Sequence, residues 1–274
     1  MDANWGHYPE AACRLLIHII EGEAGCRYAA VHKTAAVVVD ALRASATAAA
    51  LFAHNARELL ITRTVNEALT LKAQHADALL YGERGGVPPA GFDYENSPQE
   101  AIHGRNKTII FTTTTGASRL IQAHGANPLL MGSTINSASV VQYLTNRDIQ
   151  EVVLIPAGLM NVPAFDAQED WVAATYIAMN LIHSLASQNG IAWGRGYEQF
   201  TNFCKRIETE GVDFLFDTAP HAAKLKAINK QKDIRLCAQT NIFDTLPIVV
   251  KSSRSYTTVQ DAFNPLVISG GFNE

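Results

Sequence analysis

The sequence is poor in the features that assign many proteins at sight. Its 274 residues hold four cysteines, Cys13, Cys26, Cys204 and Cys237, and none forms a C-x-x-C pair. Their spacing fits no zinc framework, so they read as reduced, packed thiols of a cytoplasmic protein. No stretch approaches the roughly 20 apolar residues of a membrane helix. The apolar run from Leu15 to Ile20 is short and ends in Glu21-Gly22, without the pattern of a cleaved leader. A soluble chain without membrane partners is therefore expected. Net charge is −4, so no basic field recruits nucleic acid. An anionic ligand would need a local positive site.

Signature motifs are missing too. There is no G-x-x-x-x-G-K-[ST] loop and no G-x-G-x-x-G after a strand, which leaves nucleotide binding unsupported. The nine histidines form no H-E-x-x-H or similar pair, and His54 and His124 read as structural. No G-x-S-x-G elbow supports a serine hydrolase. An aspartyl-phosphate phosphatase of the haloacid dehalogenase type would carry a second Asp two residues after the first. After Asp40 that position is Leu42.

What is present is centred on Val37 to Thr47, V-V-V-D-A-L-R-A-S-A-T. Three β-branched residues predict a buried strand. Asp40, Arg43, Ser45 and Thr47 follow, where a helix from Ala44 to His54 begins. Ligands of open α/β sheets sit outside the carboxyl ends of strands, and a helix start offers unpaired N–H groups. Asp40 is thus a candidate to ligate magnesium or orient water, and Arg43 to grip phosphate in forked geometry. The bland alternative is a surface salt bridge, or an Asp capping the helix.

Strands and helices alternate from there. Strands are predicted near Cys13–Ile20, Glu58–Thr62, Ala78–Tyr81, Thr108–Phe111, Leu129–Met131, Val152–Ile155 and Pro247–Lys251. Helices are predicted from Thr64 to Gln74 behind a Thr64/Glu67 capping box, and over Ala117–His124, Asn136–Tyr143 and Gln168–Ala186. Further helical patches cover Tyr197–Ile207 and Ala219–Ile228. Residues 1–12 read as a lead-in, Gly22 to His32 is ambiguous, and the tail after Lys251 reads as loop. The pattern implies a three-layer α/β/α fold with a mostly parallel sheet built from repeated strand–loop–helix units. A weak repeat supports it: Ala53-His54-Asn55-Ala56 before Leu59-Leu60 matches Ala123-His124-Gly125-Ala126 before Leu129-Leu130. The D-A-L-R-A-S and T-T-T-T-G turns then occupy equivalent positions, with Val152 to Ala186 a candidate third copy. No linker divides the chain, although two similar subdomains meeting near residue 150 are an alternative to one domain.

Two more stretches carry chemistry. Residues 82–98 hold four glycines and three prolines, with Glu83, Arg84, Asp93, Glu95, Asn96 and Ser97 among them. Long loops inside compact domains are commonly functional. Glu83 follows a strand end directly, which favours a ligand role; Glu95 reads as a solvated charge. Thr112, Thr113, Thr114 and Thr115 before Gly116 could cradle phosphate with hydroxyls and backbone N–H groups, or Thr113 could simply cap. Glu169 and Asp170 open the long helix, where acids are usually dipole partners.

Taken in order, these pieces resemble one family. V-V-V-D-A-L-R-A-S, then G-E-R with G-F-D and N-S-P, then T-T-T-x-G, then G-S with Asn136 and Ala138, Ala157-Gly158, Glu169-Asp170 and a segment from Leu236-Cys237-Ala238-Gln239 to Pro247 are similar to the 2-phosphosulfolactate phosphatases. The likeness spans roughly residues 35–250. It implies a magnesium-dependent hydrolysis of (R)-2-phospho-3-sulfolactate to 3-sulfolactate and phosphate, and a three-layer α/β/α fold. On this reading Mg²⁺ is expected on some of Asp40, Glu83 and Asp170, with Glu169 as a substitute. Arg43 and Arg84 act with Asp40 and Glu83 in catalysis. Ser45, Thr47, Asn96, Ser97 and the Thr112–Gly116 turn meet the substrate. The chain departs from the family at Thr115, where Asn is usual, at Ala117, where Thr is usual, and at Pro156, where Cys is frequent. A small phosphorylated hydroxy acid of another kind, or a non-catalytic anion-binding role, are the alternatives. A homo-oligomer is the base-rate expectation.

Overall fold

The computed structural model describes residues 15–162, 164–186, 190–253 and 256–264. The predicted lead-in, Cys13 and the end of the tail lie outside them. Among the described residues eleven strands form one sheet, in the order β5-β4-β6-β3-β11-β10-β7-β2-β8-β1-β9. They are β1 Leu15–Ile19, β2 Ala35–Val39, β3 Glu58–Ile61, β4 Leu79–Gly82, β5 Tyr94–Glu95, β6 Thr108–Thr112, β7 Leu129–Met131, β8 Glu151–Pro156, β9 Ile191–Trp193, β10 Pro247–Ser252 and β11 Thr257–Asp261. Seven of the ten neighbouring pairs are parallel. The antiparallel hairpin β10–β11 stands between β7 and β3 and pairs antiparallel with both. It therefore separates two parallel blocks that run in opposite directions.

Strand β2 shows why the sheet is central. All five of its residues are buried, as expected of a parallel strand covered on both faces. Ala35, Val37 and Val39 join the core on one face, and Ala36 and Val38 the core on the other. Helices close both sides: α1 Gly22–His32, α2 Ala44–Ala53, α3 Val65–Gln74, α4 Gly116–Gln122, α5 Ser137–Thr145, α6 Gln168–Leu185, α7 Tyr197–Glu210, α8 Val212–Asp217, α9 Pro220–Ala227 and α10 Gln231–Cys237. This is the three-layer α/β/α arrangement. The Thr64/Glu67 capping box is made from both sides. A helix that is apolar all round belongs in an interior, and nine of the ten residues of α2 are buried.

The two matched turns are brought together by their crossovers. The unit β2–α2–β3 passes from one block to the other, and β6–α4–β7 passes back. Gly116 lies at their contact: a Cβ there would stand 2.5 Å from the Cβ of Ala44 and 2.7 Å from Oδ2 of Asp40.

Gly22–His32, ambiguous in sequence, is a helix, and two local expectations change. The tail does not remain loop, because Thr257–Asp261 pairs with both β3 and β10. Its Thr257, Thr258 and Val259 form a short strand run among residues that otherwise read as a coil composition. Residues 82–98, whose glycines and prolines disfavour regular structure, contain the two-residue strand β5; the short helix that Ser97-Pro98 with Gln99 and Glu100 predicts is present as a 3₁₀ helix over Pro98–Gly104, capped by the Ser97 hydroxyl.

Candidate active site

A cavity of about 260 Å³ opens where the ends of β2, β4, β6 and β8 meet. That is the small end of ligand pockets. Asp40, Arg43, Glu83, Asn96, Thr114 and Thr115 all line it. The remaining wall includes Gly158, Leu159, His221, Lys224 and Ile228.

Asp40 is buried, at 7% exposure. Its backbone N–H donates to the Ser45 hydroxyl at 3.1 Å, and its Oδ1 accepts from the Ala44 N–H at 3.2 Å. The turn thus presents one carboxylate oxygen without a hydrogen bond among the described residues. Burial pushes the Asp40 carboxyl up to about 6; His221 and the Ala44 amide oppose the rise, and Glu83 and Glu169 add to it. Asp170 is also raised well above the carboxylate range, by burial and then by repulsion from Glu169 and Asp40. Its Oδ1 accepts from the Ala41 N–H at 2.8 Å and its Oδ2 from the Gly158 N–H at 3.0 Å. Asp170 therefore ties the β2 turn to the β8 loop.

Glu169 is 1% exposed. Its Oε1 meets Nδ1 of His221 at 3.2 Å, and its Oε2 is buried with no hydrogen-bond partner among the described residues. Burial alone would lower His221, but the hydrogen bond and charge of Glu169, helped by Asp40, raise it above an ordinary histidine. Glu83 is spent on shaping the loop. It accepts from the Thr114 N–H at 2.6 Å and the Gly86 N–H at 2.9 Å, and from the Thr114 hydroxyl.

Arg43 is 2% exposed and clamped. It pairs with Asp233, stands 3.5 Å from Glu95, and donates to the Gly86 carbonyl at 3.0 Å. Glu95 is buried, and Lys230 pairs with it, so it is not the solvated charge its loop suggested. Arg84 turns away from the cavity, donating to the carbonyls of Glu83 and Arg63 and to the Thr112 hydroxyl. Several hydroxyls also serve the backbone. Ser45 donates to the Val38 carbonyl, Thr112 to the Thr62 carbonyl, and Thr113 accepts from the Ala117 N–H. Ser97 donates to Asp233. Thr47 is buried with its hydroxyl unpartnered, away from the cavity lining. Thr115, at the departure from the family pattern, accepts from the Met160 N–H at 3.3 Å and so anchors the β8 loop. The Asn96 side chain is 3% exposed, and its Oδ1 is buried without a partner.

Sequence reasoning missed His221, Lys224 and Asp233. Their partners lie far away in the chain; His221 and Glu169 are 52 residues apart. A search for local histidine pairs does not reach that distance. The one available signal was the helix start at Pro220-His221.

Hard oxygen donors suit magnesium, which takes one or two carboxylates and keeps its waters and substrate phosphates. Among the described residues no three His, Cys, Asp or Glu side chains form a metal cage. The free Oδ2 of Asp40 and the orphaned Oε2 of Glu169 fit the less demanding requirement.

A buried acid cluster at strand carboxyl ends, faced by a histidine and an arginine in a small cavity, is the class of site that handles compact anions. The comparisons place the chain more closely. Residues 25–252 match the family model of 2-phosphosulpholactate phosphatase. A relative from Carboxydothermus hydrogenoformans, named a probable 2-phosphosulfolactate phosphatase, is 33% identical over 81% of this chain and 92% of its own length. One of the same name from Thermotoga petrophila is 29% identical over 78% of this chain and 88% of its own. The chain belongs to the 2-phosphosulfolactate phosphatase family, and by class it is a phosphatase.

Proposed function

We propose that this protein hydrolyses (R)-2-phospho-3-sulfolactate to 3-sulfolactate and phosphate, with Mg²⁺, in the cytoplasm. The observation that carries the reading is Asp40: a buried carboxylate with one open oxygen, in a small cavity shared with His221 and Arg43. The names of the relatives supply the substrate. Three free thiols among the described residues fit a reducing compartment.

Asp40 and Glu169 would hold the ion, since both oxygens of Asp170 and of Glu83 already accept hydrogen bonds. Bound there, Mg²⁺ polarises a phosphoryl oxygen and offsets the charge of the acids. Asp40 orients the attacking water. His221 and the Asn96 amide line the cavity where the oxygens of the substrate would sit, and Arg43 beside them holds Asp233 and Glu95 in place. Catalysis is then positioning plus charge stabilisation in a site screened from water.

The test is phosphate release from 2-phospho-3-sulfolactate and a panel of phosphorylated hydroxy acids, with Mg²⁺ and with chelator. The reading expects metal-dependent release that is fastest with the sulfonated substrate. Faster release from another member replaces the substrate and keeps the reaction. A protein that releases phosphate from none is an anion binder.

A further inference from the structure

Most of the positive charge at the cavity is already matched. Arg43 is spent on Asp233 and Glu95, and His221 on Glu169. Lys224 is not. It lines the same cavity, one turn beyond His221 on α9. Among the described residues no carboxylate stands within ion-pair distance of its ammonium. The ammonium lies instead over the Phe165 ring, 4.6 Å from the centroid, and Phe165 meets His221 edge-on at 6.3 Å. A cation over an aromatic face is held without being neutralised. Its neighbours on the wall, Leu225 and Ile228, offer no side-chain acceptor.

The charge and the acid cluster reach the cavity from different elements. Lys224 stands on the α9 wall of the cavity, one turn from His221, whereas Asp40 enters from the turn after β2. The lining thus combines acids, where a phosphoryl group and its metal belong, with an ammonium that has no carboxylate partner among the described residues. A ligand meeting both would carry a second anionic group.

We propose that Lys224 is a specificity-determining residue that binds a second anionic group of the substrate, a carboxylate or a sulfonate. The inference rests on the hydrolysis proposed above. The Lys224 side chain is exposed at the cavity wall, and an anionic group of a ligand gives its ammonium a charge-assisted hydrogen bond that a neutral group does not. Ligands without such a group leave the ammonium to water.

The test uses the full chain with Lys224→Met, which keeps an unbranched stem over Phe165, and Lys224→Arg. The readout is kcat/KM with Mg²⁺ for 2-phospho-3-sulfolactate, 2-phospholactate and phenyl phosphate. In Lys224→Met the ratio of the first to the last is expected to fall about 10- to 100-fold, through KM, the loss typical of a charged hydrogen bond. Lys224→Arg should restore most of it. An equal fall for 2-phospholactate identifies the carboxylate as the bound group, and a fall confined to the sulfonated substrate identifies the sulfonate. An unchanged ratio overturns the inference. Calorimetric binding of 3-sulfolactate, which has no phosphoryl group, separates this from failure of the hydrolysis. Binding weakened at least about tenfold by Lys224→Met supports the anion site even if nothing is turned over. Equal binding by both proteins, or none by the wild type, overturns it.

Discussion

The turn after β2 and the turn after β6 hold equivalent places in two strand–turn–helix units, and they touch where Gly116 meets Asp40 and Ala44. Their contents differ. The first turn carries Asp40 into the cavity and folds its own hydroxyl, Ser45, back onto Val38 and Asp40. The second brings no charge of its own. It offers the Thr114 N–H to Glu83, caps α4 with Thr113, and anchors the β8 loop through Thr115. The repeat therefore supplies one reactive turn and one shaping turn. The charges around them divide in the same way. Asp40 and Glu169 keep an oxygen without a hydrogen bond, whereas Asp170 and Glu83 are consumed by backbone amides.

This division can be broken from the side of the tied acids. Asp170→Ala would leave the Ala41 and Gly158 amides without their acceptor and release the reactive turn from the β8 loop. A loss of about 2–5 kcal/mol in denaturant unfolding is expected, from two buried donors left unpaired. A loss below about 1 kcal/mol would mean that water replaces the carboxylate. Gly116→Ala attacks the contact itself. Its new methyl group meets backbone-fixed Ala44 and the Asp40 carboxylate, so the turns must separate, at about 1–3 kcal/mol and with reduced turnover. Native stability and activity together would show that the turns do not depend on each other.

The reactive turn also has a pH signature. In chelator-treated protein, Asp40 has a folded value near 6 against an unfolded 3.8. Between roughly pH 4 and 6 the native state holds more protons than the unfolded state, so stability falls as pH rises through that window. The difference is on the order of 3 kcal/mol. Asp40→Asn should flatten this slope in melts across the window; an identical slope in both proteins would assign it elsewhere. The smallest effect belongs to the shaping turn. Thr113→Ala should cost about 1 kcal/mol in unfolding, as a lost helix cap does, with turnover largely kept. A large drop in turnover with intact stability would move Thr113 among the substrate contacts.

The sequence was most informative where local rules act alone. The β-branched run ending at Asp40, the Thr64/Glu67 cap and the alternation of strands and helices are set by neighbouring residues. It was least informative about direction. Ser45, Thr112, Thr113 and Ser97 have the residue types and placing of ligand contacts, yet they bond to backbone or to Asp233. A hydroxyl at a strand end suits either use, and only the fold decides. Long-range partners were also hidden. Arg43 looked like a free phosphate grip, but Asp233 lies 190 residues away. The strand β11 gains its place from β3, at the far end of the chain.

Phosphate release by Asp40→Asn beside the wild type, with 2-phospho-3-sulfolactate and Mg²⁺, tests the central claim most directly. The substitution keeps the shape of the turn and removes the carboxylate charge. The account predicts a fold intact by circular dichroism and a rate at least about 1,000-fold lower, the scale of losing an essential catalytic group. A folded variant with near-native turnover would contradict it and move the chemistry away from this cavity.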